Sequence, residues 1–230
     1  VIKSSQESSH RSPALGSRPP STSSAGGTIV VVAETVGLVL AAGAGSRYGM
    51  PKILVPGWLA RAVGALREGG CSAVGVVTGA ARPPHLAGVD VIHCAGWERG
   101  IGASLRAGLT AVGDGAARVV VHVVDCPDVG PEVVDRVLTV AGDRLARAVF
   151  DTRPGHPVVL PRLYLAPLLA ALTDVDGAGP YLREHAYLAV ECGDLASGRD
   201  IDIPPVGAVH RPHDATAVAQ SDVEGDERRA

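Results

Sequence analysis

Arg47 and Lys52 are the only cations in LVLAAGAGSRYGMPK (38–52), a stretch otherwise made of small, apolar and neutral residues. Small residues let backbone N–H groups approach an anion closely, and two cations beside them can neutralise it. The chemistry this spacing suggests is phosphate binding. Two familiar phosphate loops fail on spacing. A dinucleotide fingerprint needs G-x-G-x-x-G, and here Gly43 and Gly45 are followed by Tyr48, with Gly49 one residue late. A P-loop needs lysine directly after its second glycine, but Met50 and Pro51 separate Gly49 from Lys52. Pro51 also biases Met50 away from helical geometry, so the loop stays extended where a P-loop starts its helix.

Carboxylates supply the second set. DCPDVGPE places Asp125 after seven mostly β-branched, apolar residues, at the mouth of a strand, with Asp128 three residues on. Pro127 turns the chain away, leaving Asp125 open to a hard cation such as magnesium, which takes one or two carboxylates plus phosphate oxygens. The competing reading is an Asx turn at Asp125 and a solvated acid at Asp128. In GRDIDIPP, Asp200 and Asp202 alternate with isoleucines, so both carboxylates are expected on one side of an extended segment. An acid from this segment beside Asp125 makes a two-carboxylate metal site facing Arg47 and Lys52. Gly102, Ala103 and Ser104 open a helix whose N-terminus carries partial positive charge, or that simply packs closely on a sheet. His156 sits in a turn fixed by Pro154, Gly155 and Pro157.

The elements that must position these residues follow from the apolar pattern. Strands are expected at 35–42, 73–79, 88–93 and 118–125, with a short one after the Pro154–Pro157 turn. Helices are expected at 57–70, within 102–112, and at 131–142, where Pro131 opens the first turn and Gly142 closes the last. This alternation predicts a Rossmann-like, three-layer α/β/α fold with a mostly parallel central sheet. Ligands in such sheets sit outside the carboxyl ends of the strands, where the 42–52 loop and Asp125 both fall. No internal repeat is visible.

Composition narrows the classes. The chain has 230 residues, 46% of them hydrophobic but only 3% aromatic, so the core is built from Val, Leu and Ala. A net charge of −3 argues against nucleic acid as a partner, and any phosphate ligand needs a local site. Cys71, Cys94, Cys126 and Cys192 are scattered singly, without a C-x-x-C pair, and are expected as reduced thiols in a cytoplasmic protein. No apolar run reaches membrane-spanning length. One domain is expected at 34–206. The Ser/Pro-rich 1–33 and the polar 207–230 are expected to be disordered.

Together these stretches resemble the MobA-like nucleotidyltransferase family, and most closely its molybdenum-cofactor cytidylyltransferase branch. The motif L-A-A-G-x-x-x-R-x-G-x-P-K is met from Leu40 to Lys52, and W-x-x-G-x-x-x-S-L-x-x-G-L from Trp97 to Leu109. D-x-P is met at Asp125 and Pro127, P-G-H-P at Pro154–Pro157, and D-I-D-x-P at Asp200–Pro204. The resemblance implies that a nucleoside triphosphate, CTP, binds under the first loop. Leu40, Ala41, Ala42, Gly43, Ala44, Gly45, Ser46, Arg47, Lys52, Thr78, Gly79 and Ser104 would contact it, with Arg47, Lys52 and Asp125 catalytic. It implies Mg²⁺ on Asp125 and Asp202, and an acceptor, molybdopterin carrying molybdenum, near Gly155 and His156. A phosphate of that acceptor would take CMP and release pyrophosphate. The implied partners extend to a molybdoenzyme or its maturation chaperone, with neither nucleic acid nor membrane among them. Guanylyl-transferring members tend to have Gly-Gly where this chain has Ala42-Gly43, and the extra methyl favours cytosine. The alternatives are GTP, a sugar-phosphate acceptor, or a catalytically silent nucleotide-binding protein. Three departures stand out: the segment after Lys52 is short, HCAGW lacks the usual asparagine before Trp97, and PVGAV replaces an acidic continuation after Pro204.

Overall fold

Val36, Leu38, Val39, Val119, Val120 and Val121 are all buried, so their two strands lie at the centre of a sheet covered on both faces. The structure, a computed structural model, describes residues 33–204; the expected terminal tails lie outside these. Seven strands form one sheet: β1 (Ala33–Leu40), β2 (Ala73–Thr78), β3 (Asp90–His93), β4 (Ala116–Val123), β5 (Ala146–Phe150), β6 (Arg153–Pro161) and β7 (Leu188–Glu191). Their order is β3-β2-β1-β4-β6-β5-β7. Every neighbouring pair is parallel except the two made by β6. The Rossmann-like α/β expectation holds, with one reversed strand.

Five helices cover the sheet: α1 (Trp58–Glu68), α2 (Ile101–Val112), α3 (Pro131–Ala141), α4 (Arg162–Ala171) and α5 (Gly179–Glu184). Successive residues of β1 show how the faces divide. Gly37 faces α1, where an added Cβ would lie 2.9 Å from Leu66 Cδ1, so the missing side chain lets that helix dock. Leu38 faces α2, meeting the backbone of Gly108. The apolar positions Leu59, Ala62, Val63 and Leu66 of α1 are buried together, as their helical spacing requires. Gly69, just after α1, sits against Val134 of α3.

After Lys52 the chain makes a single 3₁₀ turn, Lys52–Leu54, and enters α1 through Gly57. The short segment thus leads directly into a helix. All four cysteines are free and buried. Among the described residues, no helix is long and apolar enough to cross a membrane.

Candidate nucleotide-binding site

The loop after β1 is shaped by its own backbone. Tyr48 and Gly49 N–H groups both donate to the Gly45 carbonyl, at 2.9 and 2.8 Å, closing a tight turn. Gly45 has φ +63°, and any Cβ there would collide with the Met50 carbonyl, so only glycine fits. Among the described residues, the N–H groups of Gly43, Ala44, Gly45, Ser46 and Arg47 donate to no protein acceptor. A run of free donors on small residues is a nest for an anion.

Lys52 carries the geometry of the site. Its Nζ donates to Asp125 Oδ2 and to Asp202 Oδ1, each at 2.8 Å. Arg47 Nη1 meets the other Asp202 oxygen at 2.7 Å. The lysine is 12% exposed and Arg47 77%, so one cation is seated and the other free to swing. Burial alone pushes the Lys52 pKa down, but hydrogen bonds to Asp125 and Asp202 outweigh it and raise the pKa above the usual lysine value. The Lys52 hydrogen bond holds Asp202 below the usual carboxylate range. Two carboxylates from segments 77 residues apart in sequence therefore share one ammonium, the arrangement a small divalent cation also takes.

Asp200 and Asp202 do not act together as their alternation suggests. Ile201 N–H donates to the Asp125 carbonyl at 3.0 Å, pinning the segment beside β4. The two acids then diverge around Asp125: Asp202 meets Lys52 and Arg47, while Asp200 accepts from Cys126 Sγ at 3.0 Å. No strand forms at 199–204, so strand alternation does not govern their directions. Asp125, Cys126 and Asp200 also bring ligand atoms within 4.8 Å of one another. Burial, reinforced by Asp200, raises the Cys126 pKa far above its usual value, so the thiol stays protonated and is no partner for a hard cation. Asp128 serves structure, accepting from Ser197 N–H at 2.7 Å and from its hydroxyl at 2.6 Å.

These groups open on a cleft of about 420 Å³ outside the carboxyl ends of β1 and β4. Leu40, Ala41, Ala42, Gly43, Gly45, Ser46, Arg47, Lys52, Ser104, Asp125 and Asp202 all line it. Other expected residues lie elsewhere. Thr78 is buried, with its hydroxyl on the Ile92 carbonyl at 3.5 Å. Gly79 leaves room for Trp97, whose ring would overlap any Cβ there, so it shapes the wall without lining the cleft. Ala44 belongs to the donor run but not to the lining. Gly155 packs against the Phe150 ring and accepts from Arg147, and His156 lines a neighbouring cavity. The residue reading missed Tyr48, Glu98, Ile101, Val123 and Val124, which also line the cleft. Val123 and Val124 could have been found from their place directly before Asp125.

The start of α2 packs closely, against the 173–176 segment. Gly102 has no room for a side chain beside the Thr173 and Asp176 carbonyls, and Ala103 N–H donates to the Asp174 carbonyl at 3.1 Å. Gly100, Ile101 and Ser104 turn towards the cleft.

A doubly covered, mostly parallel sheet with an N–H-lined loop and a cation-bridged carboxylate pair at its carboxyl edge defines a nucleotidyltransferase-like protein. The chain belongs to the MobA-like NTP transferase domain family, whose model matches residues 37–189. Comparison with curated protein sequences returns no significant match. Among solved structures it is similar to Rv0371c from Mycobacterium tuberculosis H37Rv, at 26% identity and TM-score 0.63, covering 75% of this chain and 95% of that one. A manganese complex of the same mycobacterial protein aligns at 25% identity and TM-score 0.55, covering 69% and 87%. The 2-C-methyl-D-erythritol 4-phosphate cytidylyltransferase from Thermus thermophilus shares the fold, at 21% identity and TM-score 0.53, covering 73% and 92%.

Proposed function

We propose that the protein transfers CMP from CTP to a phosphate of a molybdopterin-type acceptor and releases pyrophosphate. The observation that carries this reading is Lys52 bridging Asp125 and Asp202 directly beneath a loop of free backbone donors.

The donor set fits a magnesium ion, because two hard carboxylates already surround one small cationic group. Asp125 and Asp202 would hold it, and when bound it would neutralise triphosphate charge and draw electrons from the α-phosphorus. The N–H groups of Gly43 to Ser46 face the phosphates. Arg47, mobile on its exposed stem, leaves Asp202 for the β and γ oxygens, where charge accumulates as pyrophosphate departs. Lys52 gives up the carboxylates for the phosphate chain. An oxygen of the acceptor phosphate forms the new P–O bond to the α-phosphorus while the bond to pyrophosphate breaks. The attacking phosphate oxygen is already anionic, so no general base is required. Positioning and charge neutralisation suffice.

Ala42 supports cytosine over guanine. It lines the cleft, is 5% exposed, and its carbonyl is fixed by the Ala80 N–H at 2.9 Å, so the wall at this position is held rigidly. The test is pyrophosphate release with Mg²⁺, molybdopterin-type cofactor and each of the four nucleoside triphosphates. CTP should be fastest. Equal or faster release with GTP contradicts the Ala42 argument, and release only with a sugar phosphate reassigns the acceptor.

A further inference from the structure

Arg147 differs from the other partly buried arginines. Arg106, Arg118 and Arg136 each place a terminal guanidinium nitrogen on a protein acceptor: the Leu169 carbonyl, the Gly142 carbonyl and Asp194, respectively. Arg147 uses only Nε, which donates to the Gly155 carbonyl at 2.8 Å. Among the described residues, neither terminal nitrogen of Arg147 has an acceptor, and no carboxylate lies within ion-pair distance. A half-buried guanidinium left this way loses hydration that the more distant Tyr187 and Asp200 offset only in part. Burial accordingly pushes its pKa below the usual arginine value.

The side chain lines a cavity of about 190 Å³ on the α2 face of the sheet. The register explains why. Arg147 of β5 pairs with Val158 of β6, and Val158 with Val121 of β4, so all three project to one side. His156, two residues before Val158, shares that side and sets its ring Nδ1 3.4 Å from the Val121 carbonyl. Among the described residues, Arg147 and His156 are the only ionisable side chains in the lining; the rest is aliphatic or glycine. Burial, then the Arg147 charge, holds His156 below its ordinary pKa, so the ring is neutral; Arg147 is the charged group of the lining, with the Asp200 carboxylate acting on both from farther off. The cavity adjoins the nucleotide cleft, with Leu40 and Ile101 lining both.

We propose that this cavity is a second anion site beside the nucleotide cleft, in which Arg147 binds the carboxylate or phosphate of a small ligand. The inference goes beyond the nucleotidyl-transfer reading and stands on the cavity's own geometry. The ligand is then a compact molecule with an anion for Arg147 and an apolar face against Leu105, Val158 and Leu182. A full charge among apolar walls favours an anion over a neutral carbonyl, because only an anion offsets the desolvated guanidinium.

Calorimetric titration of the full chain with phenyl phosphate, benzoate and inorganic phosphate tests the site. At least one aromatic probe should bind, more tightly than inorganic phosphate. Arg147→Gln should weaken it tenfold or more, Arg147→Lys should retain part of the affinity, and Lys52→Ala should leave it within twofold. Binding of phenyl phosphate alone assigns the second anion as phosphate, and of benzoate alone as carboxylate. No binding of either, binding untouched by Arg147→Gln, or equal loss in Lys52→Ala overturns the site. A melting curve excludes unfolding of Arg147→Gln, and the Arg147→Lys result separates lost charge from lost packing. CTP binding to Arg147→Gln should match the wild type; failure of CTP to bind the wild type would count against the nucleotide reading, not this one.

Discussion

Lys52 bridges Asp125 and Asp202, and on the proposed reading it holds the position a divalent cation would take, so lysine and metal would compete until a triphosphate held both. Replacing Lys52 with alanine removes the competitor. Mn²⁺ binding without nucleotide should tighten severalfold by calorimetry, while pyrophosphate release falls by about 10²-fold or more, the cost of losing one positioned donor. Weaker Mn²⁺ binding in Lys52→Ala would show that the lysine does not share the metal position. The cluster's contribution to stability has a defined pH window. Asp202 is depressed, so its share is present above its unfolded pKa and lost as pH falls through the folded value. Lys52 is raised, so its share is complete below its unfolded pKa and lost as pH climbs through the folded one. Lys52 and Asp125 were legible from residue type and spacing alone. Their mutual contact was not, because it depends on where residues 200–202 return to the sheet. His122 shows the opposite case, since nothing in RVVVHVVD sets it apart from its valine neighbours. It is fully buried in β4, and among the described residues neither ring nitrogen has a partner. His122→Val should therefore stabilise the fold by about 1 kcal/mol or more in urea unfolding, since it removes an unpaired buried polar group.

At the scale of elements, the first two-thirds of the chain read directly from apolar periodicity. The expected boundaries shift by only a residue or two at β2, α2 and α3, because uninterrupted Val and Leu runs leave no competing pattern. The second part was less legible. β6 is nine residues long and antiparallel, where the sequence suggested only a short strand, because Pro154, Gly155 and Pro157 resemble loop chemistry. The hairpin joining β5 to β6 also lacks a recognisable turn pair. Asp151 and Thr152 both adopt positive φ, at 50° and 69°, where Asn-Gly is the usual choice. Glu191 compensates by accepting from Asp151 N–H at 3.1 Å and Gly193 N–H at 2.8 Å. Thr152 is β-branched in left-handed geometry, so Thr152→Gly should raise the unfolding free energy by about 1 kcal/mol. A destabilised variant in the same urea titration would show that the threonine side chain contributes more than its backbone strain costs. α4 was hidden by Pro167 within it, and α5 by its six-residue length.

Across the whole molecule, the sheet brings segments distant in sequence to one carboxyl edge: the loop after β1, Ser104 of α2, Asp125 after β4 and the returning chain at 200–202. The same sheet carries His122, fully buried, and His156, partly buried, whose titration couples to its stability. Burial lowers the His122 pKa to about 3 and also depresses His156. The unfolded chain therefore binds protons below about pH 6.5 that the folded one refuses, so stability falls as pH decreases. The His122 share has a slope of about 1.4 kcal/mol per pH unit between those limits. Urea unfolding from pH 7 to 5 should show this acid limb in the wild type and a shallower one in His122→Val. Identical limbs would mean that His122 is protonated or solvated in the folded state.

Pyrophosphate release by the full chain, with Mg²⁺, molybdopterin-type cofactor and each nucleoside triphosphate in turn, decides whether the Lys52–Asp125–Asp202 cluster and its glycine loop form the proposed CTP-dependent nucleotidyl-transfer site. Release should be fastest with CTP, should require both metal and acceptor, and should be lost in Asp125→Ala while that variant keeps its melting transition. Absence of release with every triphosphate, or release undiminished in a folded Asp125→Ala protein, would mean that this cluster is not a nucleotidyl-transfer site.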